Sequence, residues 1–163
     1  SSSLNGAMDQ AIAKTSKVID RHSMLISKKQ FNDWIDDSYL LMGKSHFYKR
    51  NFPEAEETFK YITKQFKEEQ IRHEAELWLA RLAIEDGNYI RAASQLEKLS
   101  EFRDDFPKGM EQSYFEVYTH LHMKRKEFQL AIDRLQQAIA ITKKKDRRAY
   151  QTFLLAGWLL LSA

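Results

Sequence analysis

The sequence contains no cysteine, which excludes a disulfide framework, a thiol nucleophile and thiolate metal sites. Proline occurs twice and glycine five times in 163 residues, too sparsely for the turns of a β-sandwich or the glycine loops of a run of βαβ units. The longest apolar stretch, Phe153 to Ala163, is 11 residues, short of the roughly 20 that a helix needs to cross a bilayer. Neither charge sign dominates: 26 Lys and Arg against 23 Asp and Glu give a net charge of +3. That balance argues against a nucleic-acid partner. There is no basic-then-apolar leader at the start. The opening Ser1-Ser2-Ser3, without Met, reads as the edge of a larger protein or a tag remnant, so any targeting signal or anchor is expected outside this sequence. Hydrophobic residues at 43% and charged residues at 30% are enough for a folded core of long, little-interrupted helices.

A repeat decides the architecture. Phe52-Pro53-Glu54-Ala55-Glu56-Glu57-Thr58-Phe59, Tyr89-Ile90-Arg91-Ala92-Ala93-Ser94-Gln95-Leu96 and Phe128-Gln129-Leu130-Ala131-Ile132-Asp133-Arg134-Leu135 share one order. Each has an aromatic, then an alanine three positions on, then a large apolar residue four positions after that. The alanines are 37 and 39 residues apart, and 12 residues before each stands a small or short residue, Gly43, Ala80 or Thr119. Leu41-Met42, Trp78-Leu79 and Tyr118 precede these. Small residues on two helices let their backbones approach, and the large neighbours fill the groove between them. The pattern therefore predicts an all-α chain of antiparallel helix pairs stacked as a right-handed α-solenoid.

The helix map follows from the periodicity. An amphipathic helix is expected over 4–22, with Leu4, Met8, Ile12, Thr15 and Ile19 on one face. Ser27-Lys28-Lys29-Gln30 has the form of a capping box opening the next helix, which ends near Lys49. Pro53 suits the first turn of a second helix, Gly87 a helix end, and Pro107 a boundary between repeats. Asp104-Asp105 reads as a turn that caps the following helix. The expected divisions are an N-terminal helix at 1–30, repeats at 31–68, 69–106 and 107–145, and the first helix of an incomplete fourth repeat at 146–163.

On these aligned positions the chain resembles the tetratricopeptide repeat family over about 35–142. A narrower resemblance rests on Trp34-Ile35-Asp36-Asp37-Ser38-Tyr39-Leu40-Leu41-Met42-Gly43-Lys44, Phe47-Tyr48-Lys49 and the preceding His22-Ser23-Met24. This run is similar to repeat-containing lipoproteins of Bacteroidota that serve type IX protein secretion and gliding motility. It covers mainly 11–62 and implies a periplasmic, outer-membrane-associated scaffold, although the sequence holds no lipobox cysteine. The alternatives left open are a cytoplasmic peptide-binding adaptor and a regulatory domain of a larger enzyme.

The motifs of catalysis are missing. There is no glycine-rich phosphate loop, no G-x-S-x-G and no H-E-x-x-H. His120 and His122, two apart on a helix, point to different faces and do not chelate one metal. His46 takes a core-facing position. Asp36 and Asp37 are adjacent on a helix, so their carboxylates diverge. The expectation is no enzyme, no cofactor and no metal site.

Binding is the better prospect. The residues following the small positions are Lys44, Arg81 and His120, a basic row with one member per repeat. Tyr48 and Trp78 flank it, and these five form the candidate groove for a protein or acidic peptide. The competing reading is a solvated basic face. The Lys and Asn positions of a carboxylate clamp hold Asp37 and Glu74 instead, so that clamp is absent. The run Lys143 to Arg148 reads as an inter-repeat loop, or as a contact for anionic lipid. Finally, the last helix is apolar around most of its circumference, with Ala156 aligned at the small position. Leu154, Trp158 and Leu161 are expected to form an exposed apolar end that seeks a covering helix or a second copy, and membrane attachment is expected only through an anchor elsewhere.

Overall fold

The computed structural model describes residues 2–23, 33–142 and 147–162. These residues form eight α-helices and one 3₁₀ turn, with no strand among them. The helices are α1 (Ser2–Ser23), α2 (Asp33–Tyr48), α3 (Phe52–Gln65), α4 (Glu69–Glu85), α5 (Tyr89–Ser100), α6 (Met110–Lys124), α7 (Phe128–Thr142) and α8 (Arg147–Ser162). The chain divides into two compact units, Ser1–Leu82 and Ala83–Ala163, with the division inside α4.

In the first unit the second helix of the pair carries a buried stripe of Ala55, Phe59 and Ile62, spaced four and three residues apart as one helix face requires. Gly43 of α2 meets this stripe at its largest member. A Cβ on Gly43 would stand 2.5 Å from a ring carbon of Phe59, closer than two carbon atoms can approach. The core continues through Leu40, Phe66, Ile71, Ala75, Trp78, Leu79 and Leu82. Helix α1 packs on α2. Thr15 is buried, its hydroxyl donating to the Ala11 carbonyl, while the Ser16 hydroxyl reaches the Met42 sulfur. Met8 and Ile12 are half-buried, as the amphipathic reading expects. The side chains of Leu4 and Ile19, and the capping box at 27–30, lie outside the described residues.

The second unit repeats the stripe twice, as Ala92, Leu96 and Leu99 on α5 and as Ala131, Leu135 and Ala138 on α7. Ala55, Ala92 and Ala131 are all fully buried. Thr119 sits at the small position of α6, with its hydroxyl donating to the Phe115 carbonyl at 2.8 Å. The buried Tyr114 donates its phenol proton to the Leu96 carbonyl at 3.1 Å, tying α6 to α5. Burial raises the Tyr114 pKa well above that of a free phenol, and the nearby Tyr118 adds to the rise.

The turn inside each pair has one geometry. Arg50, Gly87 and Lys126 adopt φ of 66°, 76° and 59°. Each donates its N–H three residues back, to Phe47, Ile84 and Met123. The next residues, Asn51, Asn88 and Glu127, donate five back, to His46, Ala83 and His122. This pair of bonds closes a helix with a left-handed residue. The carbonyls of Asn51, Asn88 and Glu127 then accept from Ala55, Ala92 and Ala131, so the turn starts the second helix as it ends the first. Pro53 falls in the first turn of α3 as expected.

One expectation fails. Asp104 and Asp105 lie in the 3₁₀ turn Arg103–Asp105, and the residue that caps α6 is Gly109, at φ +85° and without a side-chain bond. Pro107 and Gly109 intervene, so the carboxylates stand too far upstream to reach the first N–H groups of α6. The basic run at 143–146 lies outside the described residues.

A left-handed residue with a Cβ is strained, and glycine relieves that strain at some entropic cost. Lys126→Gly should therefore raise stability by about 0.5–1 kcal/mol, a few degrees in Tm, and Gly87→Ala should lower it similarly. Arg50→Gly should gain less, because the Arg50 guanidinium lies 5.0 Å from the Phe52 ring centre. Thermal melts followed by circular dichroism check the order, and a fall in Tm for Lys126→Gly would contradict the shared turn.

Candidate functional site

Three of the five expected groove residues, Lys44, Tyr48 and Arg81, gather around the indole of a fourth, Trp78, in the first unit. The Trp78 ring stacks on Phe59, centroids 5.7 Å apart and planes 10° apart. Phe47 and Tyr48 meet it edge-on at 5.2 and 5.8 Å. The Arg81 guanidinium carbon is 4.7 Å and the Lys44 ammonium 5.7 Å from its centre, within range of cation–π attraction. Lys44 and Arg81 thus do reach one place. Trp78, however, is only 9% exposed. It belongs to the core and is not the open aromatic wall that the sequence suggests, because Phe59 occupies one of its faces. Tyr48 is exposed.

The charges beside this cluster are mixed. Burial raises the Glu74 carboxyl above its ordinary pKa; Lys44 opposes the rise and Asp37 adds to it. Asp37 and Glu74 thus stand within electrostatic reach of each other and of Lys44.

His120, the fifth groove residue, lies in the second unit and lines a cleft of about 510 Å³. The cleft runs between α6 and α8 over a floor from α7. Met123, Leu135 and Phe153 supply its apolar surface, and Glu116, His120 and Arg148 its polar edge. Sequence reasoning missed Glu116, Met123 and Phe153. Glu116 and His120 are one turn apart on α6, so extending the basic row by a turn would have found the first of them.

His122 diverges from His120 as expected. It is buried, stacks on Tyr118 at 5.7 Å and 19°, and has Nδ1 3.5 Å from a Glu127 carboxylate oxygen. Burial lowers its pKa; Glu127 opposes this, while Arg134 and Arg125 reinforce it. His46 is lowered too, by burial, against the pull of Glu54. Among the described residues no three His, Cys, Asp or Glu side chains are placed to share a metal ion, and no helix is long and apolar enough to cross a membrane.

The packing of α8 also differs from the alignment. Its buried face carries Phe153 and Leu160, and a Cβ on Gly157 would lie 3.3 Å from Leu135 of α7. Ala156 lines the cleft on this inward side and is not turned outward to await a second helix. The outward side carries Leu154 at 42% exposure and Trp158 and Leu161 at 74% each.

The family profile of the tetratricopeptide repeat-like domain matches residues 2–156. The chain belongs to this family. No curated protein and no solved structure is similar enough to the chain to count as a match. Membership in the tetratricopeptide repeat-like family, with helices and no strands among the described residues, shows the all-α helical-repeat class expected from the alanine spacing. It also gives the function at its coarsest, a protein–protein interaction scaffold whose repeats are generally non-catalytic.

The lowered pKa of His122 makes stability depend on pH. The unfolded chain takes up a proton near the ordinary histidine pKa of about 6.5, whereas the folded state does so only at lower pH. Its stabilising effect is complete above that ordinary value and declines as pH falls from there toward the folded pKa. His122→Phe keeps a ring against Tyr118 and removes the proton site. Denaturant melts between pH 7.5 and 5.5 should show a smaller loss of stability for this variant than for the parent chain. Parallel losses would show that His122 does not contribute.

Proposed function

We propose that this chain is a non-catalytic scaffold whose α6–α8 cleft receives a segment of a partner protein. One observation carries the reading: α6 and α8 leave between them a cleft of about 510 Å³ whose apolar lining comes from Met123, Leu135 and Phe153. In the first unit the corresponding floor residue, Phe59, is covered by the Trp78 indole. The apolar lining of the cleft suits an apolar side chain. Arg148 at the edge suits an acidic group next to it, through charge-assisted hydrogen bonds, and Glu116 on the same edge disfavours a strongly acidic run.

The context we favour is a bacterial envelope assembly, periplasmic and attached to the outer membrane through an anchor elsewhere, as in type IX secretion and gliding motility. The support is the resemblance of Trp34 to Lys44 and Phe47 to Lys49 to lipoproteins of those systems.

The cleft is tested by placing a photo-crosslinking residue at the exposed Met123 and filling the cleft with Thr152→Trp, an exposed lining position. A crosslinked partner that disappears with Thr152→Trp, while the melting temperature holds, is the expected result. The same adduct at the same yield in both proteins would reject the cleft. Fractionation of the native cell should recover the protein with the outer membrane, and recovery with cytoplasmic proteins would reject the envelope context.

A further inference from the structure

We propose that the outer face of α8 is the contact surface of a symmetric dimer of this chain. Tyr150, Leu154, Trp158 and Leu161 follow one another at spacings of four, four and three residues. That is the seam of a helix that packs lengthwise against another. Leu155 lies beside Trp158 on one edge of the seam, at 65% exposure. The seam is turned away from the cleft, so the inference does not rest on the function proposed for that cleft.

The occupant is argued from charge and area. From Ala149 to Ala163 the sequence has no Asp, Glu, Lys or Arg. A charged partner would find nothing on this face to pair with, whereas a second copy meets it without like-charge repulsion. Ser162 interrupts the arc, but its hydroxyl donates to the Trp158 carbonyl at 2.7 Å, so burying it leaves that donor satisfied. The four seam residues offer on the order of 500 Å² of surface per copy. Two copies bury about 1,000 Å², the lower bound for a specific interface. Two α8 helices crossing antiparallel near Trp158 put this residue on the two-fold axis, where each copy contributes the same surface.

Sedimentation of the full chain from about 5 to 200 μM tests this, because an interface at the lower bound of area dissociates in the micromolar range. The expected result is a dimer fraction that rises with concentration. Combining Leu154→Glu with Leu161→Glu should weaken the dimer at least tenfold with the helical signal unchanged, since both side chains are exposed. The absence of native cysteine permits a second readout. Trp158→Cys should form a disulfide-linked dimer on mild oxidation, and Ser94→Cys on the exposed side of α5 should not. A monomer at the highest concentration would overturn the proposal, as would a dimer indifferent to the glutamates. A partner of another kind on the same face, leaving the chain monomeric, would overturn it too. Crosslinking no greater at position 158 than at 94 would overturn the two-fold arrangement.

Discussion

The spacing between paired helices depends on how little one backbone presents to the largest side chain of the other. Gly43 against Phe59 is the sharpest case, because the ring occupies the space in which a Cβ would sit. The fully buried alanines at 55, 92 and 131 do the same from the second helix of each pair. Each lies four residues before the bulky member of its stripe, so the contact is narrow at one level and filled at the next. The turn geometry follows from this closeness. Short connections through Arg50, Gly87 and Lys126 serve only helices that already lie side by side, and their backbone bonds hand the chain directly to the alanine-bearing turn.

The same constraint decides which grooves the core fills. A residue placed over the floor of a pair either fills the groove above it or leaves it open. In the first unit α4 places an indole over Phe59, and two cations and two further rings gather around it. The groove there is spent on the core. In the second unit α8 places Gly157 beside Leu135, and a cleft remains.

Much of this was legible in the sequence. The alanine spacing, the small residues 12 positions upstream, Pro53 and Gly87 locate the helix pairs, since close packing leaves few residue types possible. The turns at Arg50 and Lys126 were hidden, because φ above zero is a preference of glycine and not a requirement for it. Its position three residues before Arg81 places Trp78 beside the basic row, and sequence does not reveal that Phe59 claims its face. The orientation of α8 was hidden for another reason: leucines run nearly all round it, so periodicity does not choose a side. Gly157 marks that choice, since a Cβ there would lie 3.3 Å from Leu135 of α7.

The most direct test of this account is a double-mutant cycle between Gly43 and Phe59. Gly43→Ala adds one methyl group where the Phe59 ring stands, and the overpacking should cost about 1–3 kcal/mol despite alanine's better helix propensity. Phe59→Leu alone should also destabilise, by opening the core. Together the two changes should cost less than their sum by about 1 kcal/mol or more, because the smaller side chain yields the space that the methyl needs. Strict additivity, or a Gly43→Ala variant as stable as the parent chain, would contradict the claim that this contact sets the spacing of the pair.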